Sequence, residues 1–134
     1  MDLAENLQER VKGLYPDFLG IEFKEANPDG IKAELRGRDE ICTLPGTIHG
    51  GALMGLADTL GAVATVLNMD GNARTTTIES KTNFFRRVDA SKTIHAECTP
   101  LHKGRTTMVW QTRIFHEPEK LCVLVTQTQI VIPA

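Results

Sequence analysis

The pattern of apolar and polar residues contains one long run that differs from the rest of the chain. From Gly50 to Met69 nearly every position is apolar, and Asp58 carries the only charge. A helix that is apolar on all faces is normally buried, so the run predicts a buried central helix over residues 50–68, closed by turn residues at 70–72. A carboxylate is almost never buried unless it is paired or has a function. Asp58, near the positive N-terminal end of this helix, is therefore the first candidate for chemistry.

The remaining pattern predicts a short helix and six strands. Apolar residues at helical spacing within residues 2–13 predict an N-terminal helix that stops at Gly13 and Pro16. Alternating or β-branched runs predict strands, with a hairpin turn at 27–30, and residues 38–45 are predicted to form a loop. The predicted strands are 18–25, 30–36, 75–88, 92–101, 106–115 and 121–132.

This order of elements implies the fold class. One apolar helix followed by consecutive hairpin strands predicts an α+β fold in which an antiparallel sheet wraps around the helix. The chain has 134 residues, which is the length of one domain with a sizeable core. Such a sheet has two edges, and pairing between copies is a common way to cover them. We therefore expect a homo-oligomer, with the strand at 75–88 as the natural edge for a second copy.

Composition narrows the class of protein. The net charge of −2 argues against wholesale attraction to nucleic acid. The longest apolar run is too short and too interrupted to span a membrane, and the acidic N-terminus lacks the pattern of a signal peptide. Cys42, Cys98 and Cys122 are an odd number with no CxxC spacing, which argues against a disulfide framework and against structural zinc. A reducing, cytoplasmic location is the prediction.

A known family shares these features. His49-Gly50-Gly51 leading into Leu-Ala-Asp58, the Thr-rich strand that follows, and a Gly-Arg hairpin resemble the hotdog-fold acyl-CoA thioesterases over residues 15–132. The spacing from His49-Gly50-Gly51 to Asp58 is similar to that in the phenylacetyl-CoA thioesterase-like branch, whose architecture is similar to that of the 4-hydroxybenzoyl-CoA thioesterases. The resemblance implies acyl-CoA substrates, no metal, no cofactor apart from the CoA of the substrate, and a dimer or dimer of dimers with its sites between subunits.

The resemblance gives two residues the central roles. Asp58 is the expected general base or nucleophile at the thioester carbonyl, and its helical neighbours include the small residues Gly55 and Gly61, which leave room for a ligand. The backbone N–H of Gly50 is the expected donor to the carbonyl oxygen, because N–H groups at a helix N-terminus carry partial positive charge. A structural interpretation stands beside each: a buried Asp bonded to a loop, and a Gly pair needed for a tight corner.

Three further positions have catalytic assignments with strong structural alternatives. Thr77 matches a Ser/Thr position of the family that holds water or the carboxylate, although Thr is also a favoured strand residue. His49 is a candidate for substrate contact, but a histidine before a helix more often holds a loop. Thr43 stands where the family often has Asn or Gln, so a hydroxyl replaces an amide donor.

The expected substrate-binding residues form two groups. Four basic residues are the expected partners of the CoA phosphates, although charges at loop tips are often only solvated. Apolar residues of the helix and the following strand are candidates for the acyl channel, although they are also consistent with the hydrophobic core. Gly51 is the second glycine of the pair at the helix start. The residues are Arg86, Arg87, Lys103 and Arg105 for CoA, Met54 and Phe84 for the acyl end, and Gly51 as a further substrate- or CoA-binding residue.

Three other functions compete with hydrolysis. A hotdog module that binds acyl-CoA without hydrolysing it would lack the acid, and Thr43 keeps this alternative open. A hydratase would need an acid and a histidine converging on substrate, which the spacing of His49 and Asp58 does not suit. A purely structural oligomerisation domain would explain the small residues around Asp58 but not the lone acid itself.

Overall fold

The computed structural model describes all 134 residues and contains one helix held against an antiparallel sheet. The six strands of the sheet run in the order β1-β2-β6-β7-β8-β5, and β3 and β4 form a separate two-stranded pair. The helices are α1 (Leu3–Arg10), α2 (Tyr15–Leu19) and α3 (Gly50–Val66), and the strands are β1 (Ile21–Asn27), β2 (Gly30–Leu35), β3 (Cys42–Leu44), β4 (Thr47–Ile48), β5 (Arg74–Phe84), β6 (Ile94–Lys103), β7 (Thr107–Phe115) and β8 (Leu121–Ile132).

Helix α3 is the centre of the fold, as predicted. It packs against all six strands of the sheet. Leu53, Leu56 and Leu60 are buried on its inner face, and Trp110 of β7 donates its indole N–H to the Thr65 hydroxyl at 2.9 Å. The predicted α+β fold, an antiparallel sheet wrapped around one long helix, is confirmed.

The prediction that α3 is buried on every face is wrong for the single chain. Met54, Asp58 and Val66 are exposed, because the sheet covers only one side of the helix. Asp58 is therefore not a buried carboxylate within one copy. Apolar residues of α3 extend onto the side that the sheet leaves uncovered, so this open face of α3 remains available to another molecule.

Two predictions before α3 are also wrong. The strand expected from Phe18 begins at Ile21, because Pro16 lies in the first turn of the short helix α2 rather than ending the helical region. Gly20 then ends α2 with a φ of 89°, a conformation that favours glycine. The loop expected over 38–45 contains a 3₁₀ turn at Asp39–Ile41 and strand β3.

The later elements match the prediction more closely. Strand β8 has the predicted bounds, and β6 and β7 differ by one or two residues. The strand predicted over 75–88 is β5, which ends at Phe84. It ends there because the N–H groups of Phe85 and Arg86 both donate to the carbonyl of Cys122, at 2.7 and 3.1 Å, which breaks the alternating ladder.

One edge of the sheet is covered by a helix, and the other is open. Helix α1 packs on β1, where Gln8 donates to the Ile21 carbonyl at 2.9 Å and accepts from the Phe23 N–H at 2.8 Å. Strand β5 forms the opposite edge, and along its eleven residues it pairs only with β8. A long uncovered edge is a template for pairing with another chain.

All three cysteines are free. Cys98 and Cys122 are buried among apolar side chains, as expected of small hydrophobes, and burial raises the pKa of the Cys98 thiol to about 11. No helix of the structure combines the length and apolar character needed to cross a membrane.

Candidate active site

The first turn of α3 is capped by the residue before it. His49 accepts a hydrogen bond at Nδ1 from the Gly51 N–H at 2.7 Å, and its carbonyl accepts from the Ala52 N–H at 3.0 Å. Because Nδ1 is the acceptor, the neutral ring carries its proton on Nε2. The structure therefore gives His49 the role of helix cap, and it gives Gly51 a place in that cap.

One N–H group of this first turn has no hydrogen-bond acceptor within the chain. The N–H groups of His49, Gly51 and Ala52 all donate within the chain, whereas that of Gly50 has no acceptor among the chain's hydrogen bonds. A Cβ on Gly50 would lie 3.1 Å from the Phe84 ring. The glycine thus lets the β5 aromatic ring approach the helix end, and its N–H is the free donor there.

A pocket of about 300 Å³ opens beside this donor. Its walls combine the helix N-terminus, the end of β5 and the chain that follows β5. Three residues predicted separately for catalysis, acyl binding and CoA binding come together here. They are Gly50, Phe84 and Arg86, and Arg87 also lines the pocket. We call this pocket the N-terminal pocket.

The two arginines of the N-terminal pocket have different environments. Arg87 is held by the Thr47 hydroxyl at 2.6 Å and the Gly46 carbonyl at 2.9 Å, and Asp89 lies 3.7 Å away. The Ser91 backbone N–H keeps the pKa of Asp89 below its usual value, so Asp89 stays charged. Arg86 is exposed and has no side-chain partner. Arg86 is therefore the free cation, and Arg87 braces the loop before α3.

Asp58 lies further along α3, above the end of the sheet formed by β5 and β8. The Thr77 hydroxyl of β5 donates to Asp58 Oδ1 at 2.6 Å. Gln129 of β8, directly opposite Thr77 in the strand register, donates through Nε2 to the Thr77 hydroxyl at 2.5 Å. Thr75 in turn lies 3.0 Å from Gln129 Oε1. The predicted contact of Thr77 with the carboxylate is thus present within one chain.

A second amide reaches Asp58 directly. Gln127 Nε2 lies 3.4 Å from Asp58 Oδ1 and 3.5 Å from its carbonyl oxygen. The amide lies against α3 at Gly61, where a Cβ would be 2.3 Å from Gln127 Cδ. We call Asp58, Thr77, Gln127 and Gln129 the carboxylate cluster.

Gln127 and Gln129 were not among the residues that the sequence singled out. A signal was present, because residues 123, 125, 127 and 129 share one face of β8, and the first two are valines. Glutamine at a core-facing position is unusual unless its amide has partners. Polar residues on the apolar face of a predicted strand are therefore the signal that indicates Gln127 and Gln129.

Other predicted site residues lie apart from these two groups. Thr43 is exposed on β3 and makes no side-chain hydrogen bond to the carboxylate cluster. Lys103 pairs with Asp29 at 2.6 Å, and Arg105 follows it in the turn between β6 and β7. That turn lies at the start of β5, since Thr107 pairs with Ile130, and therefore at the other end of the sheet from Arg86. Met54 is 40% exposed, one helical turn before Asp58.

The two groups of the site are too far apart to act together within one chain. Gly50 and Asp58 are eight residues apart on one helix, which corresponds to about 12 Å along its axis. A carbonyl carbon and its oxygen span little more than 1 Å. A thioester bound to the Gly50 N–H is therefore out of reach of the same chain's Asp58.

Comparison with known proteins assigns the chain to a family. The model of the thioesterase superfamily matches residues 45–123, which include Gly50 and Asp58. The 1,4-dihydroxy-2-naphthoyl-CoA hydrolase of Escherichia coli (strain K12) is 31% identical over 118 residues, which are 88% of this chain and 86% of that protein.

Solved structures show the same fold. A mutant thioesterase from Pseudomonas aeruginosa has a TM-score of 0.91 at 28% identity, over 100% of this chain and 96% of that one. A thioesterase from Haemophilus influenzae has a TM-score of 0.90 at 30% identity, over 98% and 92%. The chain therefore belongs to the thioesterase superfamily, and it is a thioester hydrolase with the hotdog fold.

Proposed function

We propose that this protein hydrolyses acyl-CoA thioesters to a free acid and CoA, with Asp58 as general base or nucleophile and the Gly50 N–H as the donor that polarises the thioester carbonyl. The observation that carries the proposal is the contrast between one unsatisfied N–H at the start of α3 and one carboxylate held from the sheet. These are the two groups that acyl transfer requires.

The reaction proceeds by addition to the carbonyl carbon and loss of the thiolate. As general base, Asp58 takes a proton from water while the oxygen of that water bonds to the carbon. As nucleophile, Asp58 itself bonds to the carbon, and water then hydrolyses the mixed anhydride. In both routes the carbonyl oxygen becomes an oxyanion that the Gly50 N–H stabilises, and the C–S bond breaks to release CoA thiolate. A free thiol pKa of about 8.5 makes this a good leaving group without an added acid or metal.

A second copy of the chain completes the site in this proposal. The 12 Å separation along α3, estimated from the helical rise, requires Gly50 and Asp58 from different copies. The uncovered edge of β5 supports antiparallel pairing between two copies. Such pairing lays the start of one β5 beside the end of the other. It thereby brings Lys103 and Arg105 of a second copy to the end of the sheet where Arg86 lies.

The proposed substrate is an acyl-CoA with an apolar acyl group. Arg86 at the N-terminal pocket supplies a free guanidinium for a phosphate, while Met54 and Phe84 are exposed apolar side chains near the two groups of the site. The name of the Escherichia coli relative makes 1,4-dihydroxy-2-naphthoyl-CoA the first aromatic substrate to test. A cytoplasmic location remains a prediction, which the three free cysteines support.

Release of free thiol from aromatic and aliphatic acyl-CoAs tests the proposal. Wild type, Asp58→Asn and the exposed-turn control Asp70→Asn are assayed in parallel. We expect kcat to fall by about 10²- to 10⁴-fold in Asp58→Asn and to stay unchanged in Asp70→Asn.

Two outcomes would contradict the proposal. Wild-type turnover by Asp58→Asn would remove Asp58 from the reaction. Tight binding of acyl-CoA by wild type with no turnover of any substrate would favour the binding-module alternative, in which the hydroxyl of Thr43 cannot replace an amide donor.

A further inference from the structure

Two glutamines lie in the core of the sheet, directly beneath the reactive carboxylate. Gln127 is 1% exposed and Gln129 is 0% exposed, and on the same face of β8 they follow Val123 and Val125. Burying an amide without hydrogen bonds is costly. The only side chains that these two amides contact through their Nε2 donors are Thr77 and Asp58.

The two hydrogen bonds that link Gln129 to Asp58 through the Thr77 hydroxyl have a fixed direction. Asp58 as a carboxylate only accepts, so the short contact at 2.6 Å requires the Thr77 hydroxyl to donate. A hydroxyl has one proton, so the Thr77 oxygen must accept from its other neighbour. That neighbour is Gln129 Nε2 at 2.5 Å. Gln129 therefore sets the orientation of the Thr77 hydroxyl, and the hydroxyl sets the position of Asp58 Oδ1.

Gln127 acts on the same oxygen from another direction. Its Nε2 faces both Asp58 Oδ1 and the Asp58 carbonyl, at 3.4 and 3.5 Å. The reversed amide would place Oε1 against two acceptors, so the donor must face Asp58. Gln127 Oε1 is buried and has no hydrogen-bond partner. A buried acceptor without a hydrogen bond destabilises the fold, yet the chain keeps an amide where an apolar side chain would fill the same space.

We propose that Gln127 and Gln129 are positioning residues, which hold Asp58 Oδ1 and leave Oδ2 as the oxygen that reacts. This inference rests on the function proposed above and adds residues to it. Both hydrogen bonds that reach the carboxylate end on Oδ1, and none ends on Oδ2. Gly61 is part of the same arrangement, because any larger residue would push the Gln127 amide away from the helix.

The test replaces each donor by a side chain of similar length. Gln127→Met and Gln129→Met remove the amides, and Thr112→Val is the matched control. Thr112 is a fully buried threonine on β7 that is not bonded to the cluster. We expect kcat for acyl-CoA hydrolysis to fall by about ten- to a hundredfold in each Met variant, with KM changed less than about twofold, since misplacing a reacting group costs rate more than binding. Thr112→Val should keep the wild-type kcat.

A double-mutant cycle separates positioning from plain core packing. Because Gln129 acts through Thr77, Gln129→Met should lower kcat in the wild-type background but have little further effect in Thr77→Val. Thr77→Ser retains the hydroxyl and should restore most of the kcat lost in Thr77→Val. If Gln129→Met does not fold, the pair Thr77→Val and Thr77→Ser tests the same series of bonds at a partly exposed position.

Each outcome decides between the two proposals. Loss of activity in Asp58→Asn with wild-type kcat in both Met variants would overturn the positioning role and leave the proposed function intact. An equal loss on Gln129→Met in both backgrounds would also overturn it, because the effect would not pass through Thr77. Wild-type turnover by Asp58→Asn would overturn both proposals together.

Discussion

The first and third turns of helix α3 differ in whether their functional polar groups are hydrogen-bonded within the chain. In the first turn the Gly50 N–H is left without an acceptor, beside a pocket with a free arginine. In the third turn the Asp58 carboxylate accepts from the Thr77 hydroxyl and the Gln127 amide, and Gln129 in turn donates to the Thr77 hydroxyl. Under the proposed function, the N-terminal pocket stabilises charge that develops on the substrate, whereas the carboxylate cluster keeps an existing charge in one place.

Apart from loss of the carboxylate itself, removing the donor of the first turn should have the largest effect. Gly50 is the first residue of α3, and proline is tolerated at that helical position because its N–H has no helical partner. His49, with φ of −64° and ψ of 135°, has a backbone conformation that suits a following proline. Gly50→Pro therefore deletes the N–H and leaves the helix intact. We expect kcat to fall by about 10²- to 10³-fold in a thiol-release assay.

Gly50→Ala is the matched control for this variant. It adds the same Cβ beside Phe84 but keeps the N–H, and Phe84 is exposed enough to move. Its kcat should stay well above that of Gly50→Pro. Equal losses in the two variants would mean that steric blockage, rather than the N–H, explains the result.

The two glycines should differ in their effect on stability. A Cβ at Gly61 would meet the buried Gln127 amide, which cannot move away, whereas a Cβ at Gly50 meets an exposed ring. We expect Gly61→Ala to lower the free energy of unfolding by about 1–3 kcal/mol and Gly50→Ala to leave it nearly unchanged. Urea unfolding at one protein concentration measures both. A Gly61→Ala variant as stable as wild type would show that the packing at the carboxylate cluster is looser than described.

The arginines of the N-terminal pocket should give the smallest effect, and it should depend on the substrate. Arg86→Ala should raise KM for acyl-CoA by up to about tenfold, which corresponds to one phosphate contact worth about 1.4 kcal/mol. It should leave KM unchanged for the same acyl group on N-acetylcysteamine, which lacks the nucleotide phosphates. Arg87→Ala should alter both substrates alike, because Arg87 holds the loop at Gly46 and Thr47. An equal effect of Arg86→Ala on the two substrates would contradict the phosphate contact.

Local sequence signals predicted the elements that contain the site. The long, mainly apolar run predicted the start of α3 at Gly50, and alternation predicted β8 at residues 121–132. The helix Tyr15–Leu19 was missed because Pro16 was interpreted as a stop, although proline in the first turn of a helix is equally consistent. The end of β5 depends on two N–H groups that share the Cys122 carbonyl, a contact that no local pattern encodes.

The site could be predicted only in part. The contact between Thr77 and Asp58 was expected, but Gln129 behind it was not, because cross-strand register decides which residue faces Thr77. The exposure of Asp58 was mispredicted for a related reason. An apolar helix indicates that a surface is to be covered, and it does not indicate whether the same chain or a second copy covers it.

The most direct test of this account is complementation between two inactive chains. Asp58→Asn and Gly50→Pro carry their defects in different groups of the site, so a hybrid dimer purified by two different tags has one site with both defects and one site with neither. We predict that the hybrid recovers roughly half of the wild-type kcat while both parent proteins stay inactive. A hybrid no more active than its parents would contradict the claim that the Gly50 N–H of one copy and the Asp58 carboxylate of another form one active site.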